Sequence, residues 1–136
     1  MSINLRIKEI EDMFLVFDDP MDKYTQIIEF GKKNNGLKEE EKNETNRIYG
    51  CTSLAWVKTE KNGTLYSIKT DSDTFIVKGL LNILEFIISE SEKDEIIKLK
   101  IEDILLKIGL ENSITSQRTN GFLSAVEKIK KQINTL

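Results

Sequence analysis

Between about Thr74 and Ser89 the sequence is apolar except along one line formed by Lys78, Asn82, Glu85 and Ser89. Intervals of four, three and four residues put those side chains on a single stripe of a helix. A helix that is apolar around most of its circumference has to be surrounded, so the rest of the chain must pack on several sides of it. The preceding Asp71-Ser72-Asp73-Thr74 supplies side chains suited to capping its first turn.

The flanking segments fit that requirement. Ile3, Ile7, Ile10, Phe14 and Phe17 recur at helical spacing, with Lys8, Glu9, Glu11 and Asp12 on the other face. Asp19 caps a second helix with Pro20 in its first turn, striped by Tyr24, Ile27, Ile28 and Phe30 and ending near Asn34-Asn35-Gly36. From Arg47 the period becomes alternating. Ser53–Thr59, Asn62-Gly63 and Thr64–Thr70 predict a hairpin with a type I′ turn at Asn62-Gly63. That turn pairs Thr59 with Tyr66, Val57 with Ile68 and Ala55 with Thr70 on one face, leaving Leu54, Trp56, Lys58, Leu65, Ser67 and Lys69 on the other. Arg47–Tyr49 is the candidate third strand. Trp56 is read as a core residue under the N-terminal helices, the alternative being a partner-binding patch.

After the central helix, Ser91-Glu92-Lys93-Asp94 resembles a capping box for a short helix. Ile101–Ile108 forms another that closes at Gly109, and Phe122, Val126, Ile129 and Ile133 stripe a C-terminal one. Helices, a small antiparallel sheet of about three strands, then helices define an α+β fold. No repeat or linker divides the chain, so residues 1–136 are expected to form one domain, large enough to bury roughly two thirds of its unfolded surface.

Composition narrows the chemistry. The 136 residues contain one cysteine and no histidine, which excludes Ser/His and Cys/His catalytic pairs, Cys/His zinc sites and four-thiolate iron–sulfur sites within one chain. The net charge of −3 is spread through mixed acidic and basic residues, an unfavourable surface for nucleic acid. No apolar run spans a bilayer. A lone thiol suits a reducing compartment, and Met1–Lys8 lacks the apolar core of a signal peptide, so the chain is read as cytoplasmic.

Thiol chemistry rests on Cys51, at the junction between the candidate third strand and the hairpin. Two readings stand: an inert buried cysteine, or a thiol presented on a loop whose backbone Gly50 frees. Arg118 poses a related question. Behind a Thr115 or Ser116 cap it lies in the first turn of the C-terminal helix, where a cation opposes the macrodipole. An ion pair with Asp71, Asp73 or another carboxylate would account for it, as would a guanidinium stabilising a thiolate near Cys51 or binding a partner's carboxylate. For Asp71 and Asp73 themselves, capping is preferred to a paired-carboxylate or metal site.

Four groups of residues in order, Tyr24-x-x-Ile27-Ile28-x-x-Gly31-Lys32, Gly50-Cys51-x-Ser53-x-x-Trp56, Asp71-Ser72-Asp73-x-x-Ile76-Val77-x-Gly79-Leu80 and Arg118-x-x-Gly121, resemble the SufE-type sulfur-acceptor proteins, CsdE branch included. The resemblance runs from about Met13 to Ile133. It implies an α+β fold of the kind shared with IscU-like cluster scaffolds. It also implies a non-enzymatic role: Cys51 takes sulfane sulfur from a SufS/CsdA-type, pyridoxal-phosphate-dependent cysteine desulfurase, stimulates that enzyme and passes the sulfur to a SufB-type scaffold. The chain itself would bind no cofactor and no metal. By the same resemblance Gly50, Ser53, Asp73 and Arg118 support the cysteine or the docking face. The runner-up is a thiol redox or peroxide-sensing protein using Cys51. Departures from the family pattern are Asn34-Asn35 where Leu-Pro is usual, Gln117 where a serine precedes the arginine, and Ala55 where a valine precedes the tryptophan. The first leaves the path of the following polar segment open, the second the contacts of the cap.

Overall fold

Helix α3 (Phe75–Ile88) lies at the centre of the molecule, in a computed structural model that describes residues 2–50, 53–110 and 114–136. Its Ile83, Leu84, Ile87 and Ile88 are at most 1% exposed, and burying each contributes about 1.5–3 kcal/mol. Lys78, Asn82, Glu85 and Ser89 form the half-buried stripe that their spacing requires.

Helices α1 (Ile3–Phe14) and α2 (Pro20–Lys33) pack on α3 from one side. Asp19 caps α2 as its sequence predicts, accepting the Met21 N–H at 2.9 Å. The α2–α3 crossing is very close. A Cβ added to Gly31 would lie 2.0 Å from the Phe75 carbonyl oxygen, and one added to Gly79 would lie 1.8 Å from that of Ile27. Only glycine permits such an approach at either position.

On another side of α3 lies a three-stranded antiparallel sheet in the order β1 (Ala55–Asn62), β2 (Leu65–Ser72), β3 (Ser91–Glu92). The face carrying Ala55, Val57, Thr59, Tyr66, Ile68 and Thr70 is buried, as the alternation predicts. The register differs. Asn62 pairs with Leu65, so the turn residues are Gly63 and Thr64, and Val57 stands opposite Thr70 rather than Ile68. Of the two turn residues only Gly63 has positive φ (65°), whereas a type I′ turn requires it at both; glycine at the first central position is the type II′ arrangement. The expected and observed pairings give every side chain the same face, so core packing does not separate them and the local turn decides.

The longer strands carry Asp71 and Ser72 into β2 and overturn the capping role expected for them; Thr74 is the N-cap of α3, without a side-chain cap bond. Asp71 instead is a buried hub. It accepts the Leu37 N–H at 2.9 Å and the Ser72 N–H at 2.8 Å, and meets Lys42 at 3.2 Å and Lys78 at 3.5 Å. Trp56 lies opposite Asp71 on the outer face, half-buried, with the Lys42 ammonium 5.7 Å from its ring centre. It is not under the N-terminal helices, because those pack on α3 while period-two alternation turns Trp56 away from Ala55 and Val57.

The third strand is also not the expected one. Arg47 makes a single antiparallel bridge to Trp56 along the outer edge of β1, whereas Ser91 and Glu92 pair with Tyr66 and Leu65. Ser91 therefore builds sheet instead of a capping box, and α4 (Lys93–Ile97) starts after Glu92 without a side-chain cap bond. The Ser91 hydroxyl takes up a buried arginine: Arg6 Nη1 donates to it at 2.9 Å and to the Ile87 carbonyl at 3.0 Å, satisfying a carbonyl at the end of α3. Helices α5 (Ile101–Lys107) and α6 (Ser116–Thr135) complete the fold. Phe122, Val126, Ile129 and Ile133 face the core as predicted, and Ala125 joins them. Among the described residues no helix is long and apolar enough to cross a membrane.

Candidate functional site

Cys51, with Thr52, lies outside the described residues; the site is built from what brackets it. The chain enters along β1: the Ile48 N–H donates to the Ala55 carbonyl at 2.8 Å and the Val57 N–H to the Asn46 carbonyl at 2.8 Å. Ile48 and Ala55 thus close the neck of a loop. On its incoming side Gly50 has φ 86°, and a Cβ there would lie 2.5 Å from the Ser124 hydroxyl of α6. The dihedral is the one that favours glycine, whereas the Ser124 hydroxyl is the end of a side chain that can move aside.

The outgoing side is tied to the start of α3. The Ser53 and Thr74 hydroxyls are 3.1 Å apart and hydrogen-bonded. The Leu54 N–H donates to Asp73 Oδ1 at 3.1 Å, the Asp73 N–H donates to the Leu54 carbonyl at 3.1 Å, and the Ser72 hydroxyl donates to that same carbonyl at 2.7 Å. Ser53 and Asp73 therefore meet on the outgoing side, and Gly50 lies beside Ser124 of α6 on the incoming side.

Arg118 sits in the first turn of α6 behind Thr115, whose hydroxyl accepts the Arg118 N–H at 3.3 Å. That cap forms with Gln117 in place. The ion pair with Asp71 or Asp73 does not: Asp71 is taken by Lys42 and Lys78, and Asp73 holds the Leu54 amide. Among the described residues no carboxylate pairs with Arg118. Its guanidinium stacks over the Tyr24 ring at 5.9 Å and lines a narrow cleft with Ile48, Ala55 and Phe122. Arg118 is thus brought to the loop's neck, and its cation–π partner comes from α2.

Sequence reasoning did not single out Ser124 or Thr74 as part of this arrangement. Both act through tertiary contacts far from the cysteine in sequence. Tyr24 was within reach, since it opens the first of the four groups of residues. Large apolar side chains remain exposed on the segments that carry these contacts, Tyr49 at 59%, Leu54 at 41% and Phe75 at 51%. Among the described residues no three carboxylates or thiols converge on a metal site.

The structure is an α+β fold in which Gly50 lies beside α6 and Ser53 and Leu54 are tied to the start of α3. Its fold matches the solution structure of a hypothetical protein from Thermus thermophilus with a TM-score of 0.78, over 96% of this chain and 94% of that one, at 15% identity. Residues 8–133 match the family model SufE, Fe–S metabolism associated domain. The chain is 36% identical to an uncharacterized SufE-like protein of Rhizobium etli, over 93% of its own length and 88% of that protein's. It is 34% identical to another from Rhizobium meliloti, over 93% of each. Against SufE-like protein 1, chloroplastic/mitochondrial, of Arabidopsis thaliana the identity is 29%, and the matched region is 34% of that longer protein. The chain belongs to the SufE family, which connects it to Fe–S metabolism.

Proposed function

We propose that this protein is a sulfur acceptor and carrier for iron–sulfur cluster assembly, with Cys51 as its nucleophile. The observation that supports the reading most is that the chain's one thiol falls in sequence between Gly50, which has positive φ and lies beside Ser124, and Ser53 with Leu54, which are hydrogen-bonded to Thr74 and Asp73. The Cys51 thiolate attacks the outer sulfur of a persulfide on a SufS/CsdA-type cysteine desulfurase. A sulfur–sulfur bond forms on Cys51, the donor's sulfur–sulfur bond breaks, and the donor cysteine leaves as a thiolate. Thiolate replaces thiolate and the transferred sulfur keeps its proton, so no base from this chain is needed. Pyridoxal phosphate belongs to the desulfurase. In the second half of the cycle a SufB-type scaffold takes the sulfur, and docking also stimulates the desulfurase. A reducing compartment such as the cytoplasm keeps Cys51 as a thiol between cycles.

Gly50, Ser53, Asp73 and Arg118 support the step by holding the loop and its neck, with Arg118 placed to meet a partner's carboxylate. The test is intact mass after incubation with a cysteine desulfurase, pyridoxal phosphate and free cysteine. Expected is a gain of one or more sulfur atoms that reductant removes and that Cys51→Ser does not acquire. A gain of oxygen from peroxide, with no sulfur from the desulfurase, would replace this reading by the redox one.

A further inference from the structure

Next to Gly50, on the side of Ser124, opens a cleft of about 330 Å³ between the Arg47–Tyr49 segment and α6. Lys128 and Lys131 follow Ser124 at four and seven residues and share its face of the helix. Arg47 lies across from them, its guanidinium 5.3 Å from the Tyr49 ring centre and its Nε buried with no hydrogen-bond partner among the described residues. The segment that carries Arg47 is fixed. The Val57 N–H donates to the Asn46 carbonyl at 2.8 Å, the Ile48 N–H to the Ala55 carbonyl at 2.8 Å, and the Asn46 side chain to the Glu41 carbonyl at 2.8 Å.

The charge of this cleft stands against that of the chain. The molecule carries −3 overall, yet Arg47, Lys128 and Lys131 line one concave site with Glu127 as the carboxylate among them. The neighbouring Glu44 accepts the Tyr49 hydroxyl. None of the three cations has an ion-pair partner among the described residues, so the cleft's positive charge is not neutralised within the chain. The cleft shares Ser124 with Gly50 and so continues the face that carries the loop.

We propose that this cleft is a docking groove for an acidic segment of the protein with which the loop exchanges sulfur. The groove rests on the sulfur-transfer reading only for the identity of that protein. A carboxylate pair takes the two lysines, Arg47 offers its fork to a third, and the exposed rings and chains of Tyr49 and Leu123 flank the groove with apolar contact. A nucleic acid is the less suited occupant, because Glu127 stands inside the cleft and the surrounding charge is not basic.

The test uses the whole chain, labelled with nitrogen-15 and titrated at low salt with hexaglutamate, hexalysine and a hexathymidine oligonucleotide. Hexaglutamate should shift the amides of Arg47, Tyr49 and the Leu123–Lys131 stretch. Its affinity should fall about tenfold in Lys128→Glu/Lys131→Glu, less in Lys128→Ser/Lys131→Ser, and again when salt is raised. Shifts scattered over lysines elsewhere, unchanged affinity in both double variants, or tighter binding of the oligonucleotide at the same residues would each overturn the groove. With a cysteine desulfurase as donor, the charge-reversed variant should need about tenfold more protein for half-maximal sulfur uptake at an unchanged saturating rate. Its uptake from sodium polysulfide should match that of the parent chain. If the parent takes sulfur from neither donor, the sulfur-transfer reading fails while the peptide titration still decides the groove.

Discussion

Leu54 and Asp73 hold each other twice, each residue's N–H reaching an oxygen of the other at 3.1 Å. One bond is backbone to backbone and survives any substitution of Asp73; the other needs a side-chain acceptor at that position. Asp73→Ala should therefore free the Leu54 amide, at a cost of about 0.5–1.5 kcal/mol, while Asp73→Asn keeps the acceptor and stays near the parent. Amide exchange at Leu54 followed by NMR distinguishes them: a large acceleration in the alanine variant only. Equal exchange in all three proteins would mean that the Asp73 side chain does not restrain the loop.

The Gly31–Gly79 crossing makes a prediction of opposite sign to the usual helix rule. Alanine in place of glycine in a helix normally stabilises by about 0.5–1 kcal/mol. Here the new methyl would press on carbonyl oxygens at 2.0 and 1.8 Å, and neither backbone can yield without separating α2 from α3. Gly31→Ala and Gly79→Ala should each destabilise by about 3 kcal/mol, the upper end of overpacking. Urea unfolding midpoints measure this, and a midpoint at or above the parent's in either variant would show that the helices cross less closely.

Much of this was legible because it is periodic. Ile83, Leu84, Ile87 and Ile88 had to be enclosed, and Ala55, Val57, Thr59, Tyr66, Ile68 and Thr70 had to share a face in either hairpin register. What the pattern does not encode is choice between equivalent pairings, which is why the turn moved to Gly63-Thr64 and Asp71 became part of a strand. The site divides the same way. Ser53 and Asp73 come together through contacts near the hairpin ends, where local reading reaches. The Tyr24 ring against Arg118 and the Ser124 hydroxyl under Gly50 depend on how α2 and α6 are placed by the core, and no local signal carries that information.

Asp71 joins the edge of the sheet to the polar segment that departs from the family's Leu-Pro. Asn34 in that segment is buried, donates to the Thr70 hydroxyl at 3.0 Å and the Lys78 carbonyl at 3.2 Å, and accepts the Gly36 N–H at 2.9 Å. Burial opposes the Asp71 charge, but the Leu37 and Ser72 amides and the Lys42 and Lys78 ammoniums outweigh it and hold the carboxyl below its ordinary value of 3.8. Its stabilisation is present above that ordinary value and lost as pH falls through the lower folded value. Asp71→Ala strands the Leu37 and Ser72 amides and takes the carboxylate from Lys78, while Lys42 keeps Glu39, so it should cost about 3 kcal/mol at neutral pH. Asp71→Asn keeps one acceptor oxygen for the Leu37 and Ser72 amides, which bond to different oxygens of Asp71, and should fall between alanine and the parent. Denaturant midpoints at pH 7 rank the variants, and equal values for alanine and parent would exclude the hub.

Glu85 titrates in the opposite sense. Burial is the main cause of its raised value, the nearby Asp71 adds to it, and the Thr70 amide bonded to Glu85 Oε1 at 3.0 Å, the Thr70 side chain and the charge of Lys69 only partly offset it, leaving a pKa of about 7 against an ordinary 4.5. A folded-state value above the unfolded one means the native state binds the proton more tightly. The stabilisation is complete below about pH 4.5 and is lost as pH rises through about 7. Undiminished, the shift would be worth about 3 kcal/mol, and water at the outer side of this half-buried carboxyl reduces it to about 1–2 kcal/mol. Glu85→Gln keeps an oxygen for the Thr70 amide, which caps β2 beyond the reach of the short β3, and removes the titration. The variant should match the parent near pH 5 and exceed it near pH 8. Unfolding free energies measured at both values decide the matter: parallel pH profiles for the two proteins would mean that Glu85 stays charged throughout, with its carboxylate more open to water than its place between α3 and the sheet edge implies.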